Sequence, residues 1–213
     1  MHPVDCPVWE YQNISKYQSI LEERISGILI NLRSGKLDIN STASDTRPVH
    51  KYFFEYLTPF NYAYYAGNYR GENYRCLRFY NVFIRGDPRV GFRAETVPIK
   101  MGELGDQIRN GFAALDLAST VPDAQLSNED KVLYAVVFAC RVFEIFLRIH
   151  PYVNGNGHVA RFLIWAILGR YGYWPEQWPI EPRPSDPPYS QLIIEYRNGN
   201  REPLEHFVLQ CIG

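Results

Sequence analysis

The sequence predicts a mainly α protein, a helical bundle with one β-hairpin. Three observations predict it. Val132 to Cys140 and Phe162 to Leu168 are continuously apolar, as in helices buried nearly all round. Residues 9–33 repeat apolar side chains every three or four positions, the period of an amphipathic helix. Only Arg78 to Lys100 sets β-branched and aromatic residues on both sides of a turn, Gly86-Asp87-Pro88, which is a hairpin signal.

The elements follow in chain order. One or two helices are expected over residues 9–33, ended by Ser34-Gly35. A further helix, about Pro48 to Leu57, leads into FNYAYYAGNYRGENYR, whose glycines at 67 and 71 mark turns. The hairpin over 78–100 comes next, and residues 101–115 return to a helical pattern. Ser127-Asn-Glu-Asp130 reads as a capping box, with the Ser127 hydroxyl taking the N–H of residue 130. In the second half of that helix Arg141, Glu144 and Arg148 form one polar stripe at i, i+3 and i+7. The following apolar helix stops at Gly169, Gly172 and Pro175. Pro179 to Pro188 reads as an ordered or semi-extended connection. Too few residues follow it for a second core, so residues 1–213 are taken as one domain.

Composition narrows the function classes. The chain has 213 residues, 46% of them hydrophobic, and 22 Lys and Arg against 23 Asp and Glu give a formal charge of −1. Nothing global draws it to nucleic acid or an anionic membrane. No apolar run approaches the ~18 residues of a spanning helix, and MHPVDCPVWE lacks an export signal. Cys6, Cys76, Cys140 and Cys211 lie far apart with no C-x-x-C pair, so neither a disulfide framework nor a cysteine zinc site is expected. A reducing, cytosolic compartment fits best, with export as an effector left open. The aromatics divide into a core share, including Phe138, Phe143, Phe146, Phe162 and Trp165, and a cluster over residues 52–83 suited to base stacking, target contact or self-modification.

The joint between the two apolar helices carries the chemistry. It reads His150-Pro-Tyr-Val-Asn154-Gly155-Asn156-Gly157-His158-Val-Ala-Arg161. Gly155 and Gly157 permit backbone conformations closed to other residues, and N–H groups turned inward before a helix form an anion site. The dipole of the helix beginning there adds positive charge, so a phosphate fits. Arg161, one turn in, offers a bidentate fork, and His150, at the last turn of the preceding helix, can exchange a proton near neutral pH. No G-K-[ST] follows the glycines, which excludes a P-loop, and no Cys, Asp or Glu in the loop would complete a metal site with His150 and His158.

The segment resembles the signature of the Fic family, H-P-F-x-[D/E]-G-N-G-R-x-x-R. His150, Pro151, Gly155, Asn156, Gly157 and Arg161 match it, and Tyr152 replaces Phe. HKYFFEYLTPFNYAYYAGNYR and YSQLIIEYRNGNREPLEHFVL are also similar to Fic segments, so the likeness covers about residues 48–210, with 1–47 as an N-terminal helical extension. The resemblance implies a Fic-fold bundle that moves AMP from ATP to a Ser, Thr or Tyr hydroxyl of a protein. It makes His150 the general base, has the Gly155–Gly157 backbone and Asn156 hold phosphates, and gives Arg161 the outer phosphates. It also makes the hairpin a flap that docks the target, with Phe92, Thr96, Val97 and Pro98 at the docking positions. The partners implied are a protein substrate and a nucleotide, with no nucleic acid and no membrane.

Two positions depart from the pattern. Asn154 stands where the family has the acid that binds Mg²⁺, which implies a weakened metal site, and His158 stands where it has the first arginine. The polyphosphate is therefore expected to be held differently, with UTP, GTP or CDP-choline as alternative donors. A degenerate fold that binds a nucleotide or phosphate without turnover is the competing reading. The nearest match to the family's inhibitory [S/T]-x-x-x-E-[G/N] is Ser19 to Arg24, and Glu23 is expected to be an exposed helix residue with no inhibitory role.

Overall fold

The structure, a computed structural model, describes residues 6–84 and 87–213. Its helices are α1 (Tyr17–Arg33), α2 (Ile39–Ser44), α3 (Arg47–Phe54), α4 (Val97–Thr120), α5 (Asn128–Ile149), α6 (Asn156–Gly169), α7 (Tyr189–Arg197) and α8 (Glu202–Gln210). The pair α5–α6 is the centre of the packing, with α4 and the α7–α8 pair on other sides of α5, and α1 against α3 and α6. Every residue of α6 except Gly157 is buried, as its unbroken apolar run requires. The run opening α5 behaves differently. Leu133 and Tyr134 face solvent while Ala135, Val136, Ala139 and Cys140 face the core, so α5 buries one face at its start.

Local rules hold where the chain makes its own contacts. The Ser127 hydroxyl accepts from the Asp130 N–H at 3.1 Å and caps α5. After α1, Gly35 takes φ 70°, the left-handed conformation of a helix C-terminus. No helix of the described residues is long and apolar enough to cross a membrane. One core of buried side chains runs from Trp9 to Cys211, and Trp9, Tyr11, Leu21 and Ile25 of the N-terminal segment belong to it.

Two expectations are overturned. Among the described residues there is no strand, so the hairpin over 78–100 is absent, and Gly86 of its turn lies outside the described residues. The backbone groups that a hairpin would pair are taken by other parts of the core. The carbonyls of Tyr80 and Phe92 both accept from Arg70 Nη1, the Ala94 N–H donates to Asn81 Oδ1, and the Gly91 N–H donates to the Arg148 carbonyl. Of the four flap positions, Phe92 packs partly buried against the core, Thr96 is the residue before α4, Val97 is fully buried and Pro98 lies in the first turn of α4. None of them forms a sheet edge.

The second correction concerns the cysteines. Cys6 and Cys76 form a disulfide that closes a 70-residue separation, while Cys140 and Cys211 are free and buried. Such pairs persist in oxidising compartments, which removes the cysteine ground for a reducing one. Spacing alone hid the pair, because the folded chain brings together residues far apart in sequence. The cap on α5 gives a direct test of local stability: Ser127→Ala should lower unfolding free energy by about 1 kcal/mol in denaturant titration, without change in helical content.

Candidate active site

α5 ends on His150, which adopts φ 54°, a left-handed conformation usually left to glycine. For a residue with a side chain this costs about 1–2 kcal/mol, so something must hold it. Arg70 does. Its fully buried guanidinium donates to the carbonyls of His150 (2.8 Å), Ile149 (3.1 Å), Tyr80 (2.9 Å) and Phe92 (3.1 Å), and its backbone N–H donates to Pro151 at 2.8 Å. Burial brings its pKa down to about 10, so it stays charged at neutral pH. Carbonyl dipoles and not a carboxylate compensate this charge.

The rest of the loop is bound with similar economy. Asn156 closes it, because its Oδ1 accepts from the Tyr152 N–H and its amide donates to the Tyr152 carbonyl, both at 2.9 Å. Gly155, at φ 76°, opens α6, and a Cβ there would lie 2.3 Å from the ring of Phe54. Beneath the loop sits His50, fully buried and stacked on Tyr152 at 3.6 Å. The Gly67 N–H donates to His50 Nδ1, so His50 Nε2–H is the donor to the Asn154 carbonyl at 3.0 Å. Asn154 itself turns away toward the N-terminal segment. Its amide donates to the Trp9 carbonyl at 2.8 Å, and its Oδ1 accepts from the Gly155 N–H at 2.7 Å.

The first turn of α6, which no side chain caps, lines a cavity of about 450 Å³. His150, Asn154, Gly155, Asn156, Gly157, His158 and Arg161, the residues singled out by the sequence, all line it. Arg161 is buried at its base, with Nε donating to the Ile180 carbonyl at 2.7 Å and Nη1 2.9 Å from where a Cβ on Gly157 would be. His158 Nε2 lies 2.7 Å from Glu181 Oε2, and burial is the main reason its pKa falls. The His158 partner holds the Glu181 carboxyl below its usual range.

Sequence reading missed several walls of the cavity. Tyr11, Gln12 and Tyr17 come from the N-terminal segment, and Glu181 and Arg183 come from the proline-rich connection. Nothing local marked them, since only packing brings residues 11–17 and 181–183 to the start of α6. Arg70 and His50 were likewise inside quoted segments but had no assigned task. Glu23 is exposed on α1, as expected, and lies outside the residues lining the cavity.

His150 is uncharged at neutral pH. Loss of water contact, reinforced by the charges of Arg70 and Arg197, lowers its pKa to about 4. The nearby Leu147 carbonyl works against that by favouring the protonated ring. An anionic phosphate in the cavity would raise that value, making the base stronger once a donor is bound.

Two measurements test this framework. Arg70→Met leaves buried carbonyls unpaired and releases the left-handed turn, so stability should fall by about 3–5 kcal/mol, read by denaturant unfolding. A loss below about 1 kcal/mol would show that the turn holds without it. The buried histidines set an acid limb. His50 has its pKa lowered to about 3 by burial, so it binds a proton only on unfolding. Its stabilisation is complete above pH 6.5 and is lost as the pH falls from 6.5 toward 3. The midpoint of urea unfolding should therefore drop between pH 6.5 and 4.5, with His50 alone contributing about 1.4 kcal/mol per pH unit; a flat profile there would contradict its burial as a neutral ring.

Comparison with known proteins agrees with this geometry. The family model described as the Fic/DOC family matches residues 40–168. The chain is 32% identical over 89 residues to a protein named "Protein adenylyltransferase Fic" from Nematostella vectensis, covering 42% of this chain and 20% of that protein. It is 29% identical over 85 residues to the protein of the same name from Drosophila melanogaster, covering 40% of this chain and 17% of that protein. The match thus spans a fifth or less of those relatives' length. With a family model covering more than half of its residues and the motif loop folded around an uncapped helix start, this chain belongs to the Fic/DOC family.

Proposed function

We propose that the chain transfers AMP, or another nucleoside monophosphate, from a nucleotide donor to a hydroxyl side chain of a protein. One observation carries this reading: His150, held neutral by burial, lines the same cavity as the uncapped start of α6 and Arg161. A pure phosphate binder needs no base there. In the reaction the target hydroxyl gives its proton to an unprotonated ring nitrogen of His150 while its oxygen bonds to the α-phosphorus. The bond from that phosphorus to the bridging oxygen breaks, and pyrophosphate leaves with the electron pair. The first N–H groups of α6 and the Arg161 guanidinium offset the charge on the phosphates.

Position 154 offers Mg²⁺ at most one neutral amide oxygen, which keeps a single lone pair beyond its bond to the Gly155 N–H, so a metal there would be held weakly. Both amide atoms of Asn154 are engaged, one with the Trp9 carbonyl and one with the Gly155 N–H, and an aspartate could not donate to Trp9. Glu181, the nearest carboxylate on the cavity wall, bonds to His158. No step is routed through a metal. A second reading, binding without turnover, is favoured by Glu181, because a carboxylate beside Arg161 competes with a polyphosphate for its charge.

Intact-mass measurement separates the two. The chain, incubated with ATP, UTP, GTP or CDP-choline and candidate protein acceptors, should yield an adduct on itself or an acceptor, and the adduct should vanish in His150→Ala. Nucleotide binding without an adduct from any donor would support the binder and sink the transferase.

A further inference from the structure

The polar stripe of α5 is not used by the site around His150. Arg141, Glu144 and Arg148, with Ile145 beside them, form one wall of a cleft of about 290 Å³, and Tyr196, Arg197, Gly199 and Arg201 at the α7–α8 corner form the other. Four guanidinium groups thus face one another across a small space, with Glu144 as the one carboxylate among them. That carboxylate is already engaged, because its Oε1 accepts from Arg197 Nε at 2.9 Å. Arg197 Nη1 donates to Asp87 Oδ2 at 2.7 Å, an oxygen that also accepts from Arg89. Glu205 offsets part of the Arg201 charge from outside the cleft.

Positive charge remains in excess, and one donor is unsatisfied. Arg141 has no ion-pair partner among the described residues. Arg148 Nε is buried without a hydrogen-bond partner and stands 3.8 Å from Glu144 Oε2, outside bonding reach. Only this Nε is shut off from water, the side chain as a whole being 40% exposed, and an oxyanion in the cleft would give it an acceptor. Planar guanidinium forks suit tetrahedral phosphate oxygens better than a point charge does. The volume lies at the low end of small-molecule sites, which run from roughly 300 Å³ upward.

The geometry points to a second oxyanion site: the cleft between α5 and the α7–α8 corner binds a small, multiply charged phosphate, separately from the cavity at α6. The two are joined through the end of α5, where Arg148 lies two residues before His150. Inorganic phosphate and pyrophosphate titrated into the full chain, followed by backbone amide NMR shifts, test it. Saturable shifts should appear at Ile145 and Gly199 with one of these probes. Arg141→Gln with Arg201→Gln, both exposed positions, should weaken those shifts about tenfold or more while leaving any at Gly157 unchanged. Should the double variant unfold, Arg141→Lys keeps the charge without the fork and should still weaken binding measurably. Absence of saturable shifts at Ile145 and Gly199, or shifts unaltered in the variants, would overturn the site. Saturation by poly-glutamate alone would overturn it too, since the cleft would then read carboxylates of a protein.

Discussion

The structure turns on a buried cation that is paired with backbone and not with an acid. Arg70 gathers the carbonyls at the end of α5 and those of the segment before α4 onto one guanidinium. This single group fixes the left-handed turn at His150 and also withdraws residues 80 and 92 from any ladder between strands. The placement of His150 and the loss of the hairpin are therefore two results of one interaction. A carboxylate partner would neutralise Arg70 but would bind none of these carbonyls, so the geometry of the turn would go unspecified.

The cavity shows the same preference for fixed over mobile groups. Asn154 and Asn156 use their side chains on the loop and on the N-terminal segment. Backbone donors held in place need no reorganisation as charge develops, which is what phosphoryl-type chemistry rewards. The departures from the family pattern gain a physical reason here. An amide at 154 ties the N-terminal segment to the loop, and an imidazole at 158 meets Glu181 where a guanidinium would meet phosphate. The cavity consequently sets the uncapped start of α6 beside an acid of its own.

Much of this was legible in the residues. The apolar run of α6, the Ser127 cap and the glycine-rich joint follow from rules that act over a few positions, and they appear in the structure as read. The hairpin was misread because β-branched and aromatic residues record a preference for extended backbone, not the partner that takes its hydrogen bonds. The exposed Leu133 and Tyr134 show the same limit, since an apolar run says that a helix packs but not on how many sides. Cys6 and Cys76, and the walls from Tyr11 and Glu181, left no local trace at all.

The sequence by itself determined, in outline, the helices α1, α3, α4, α5 and α6 and the glycine-rich joint beside a histidine. Those properties depend on propensity, periodicity and spacing, each set by near neighbours in the chain. The tertiary structure decided what surrounds that loop: the Arg70 contacts that hold it, the neutral state of His150, the acid at Glu181 and the arginine cleft behind α5. Charge and desolvation act through space, so residues separated by 80 or more positions set the chemistry of a site that a dozen consecutive residues announce.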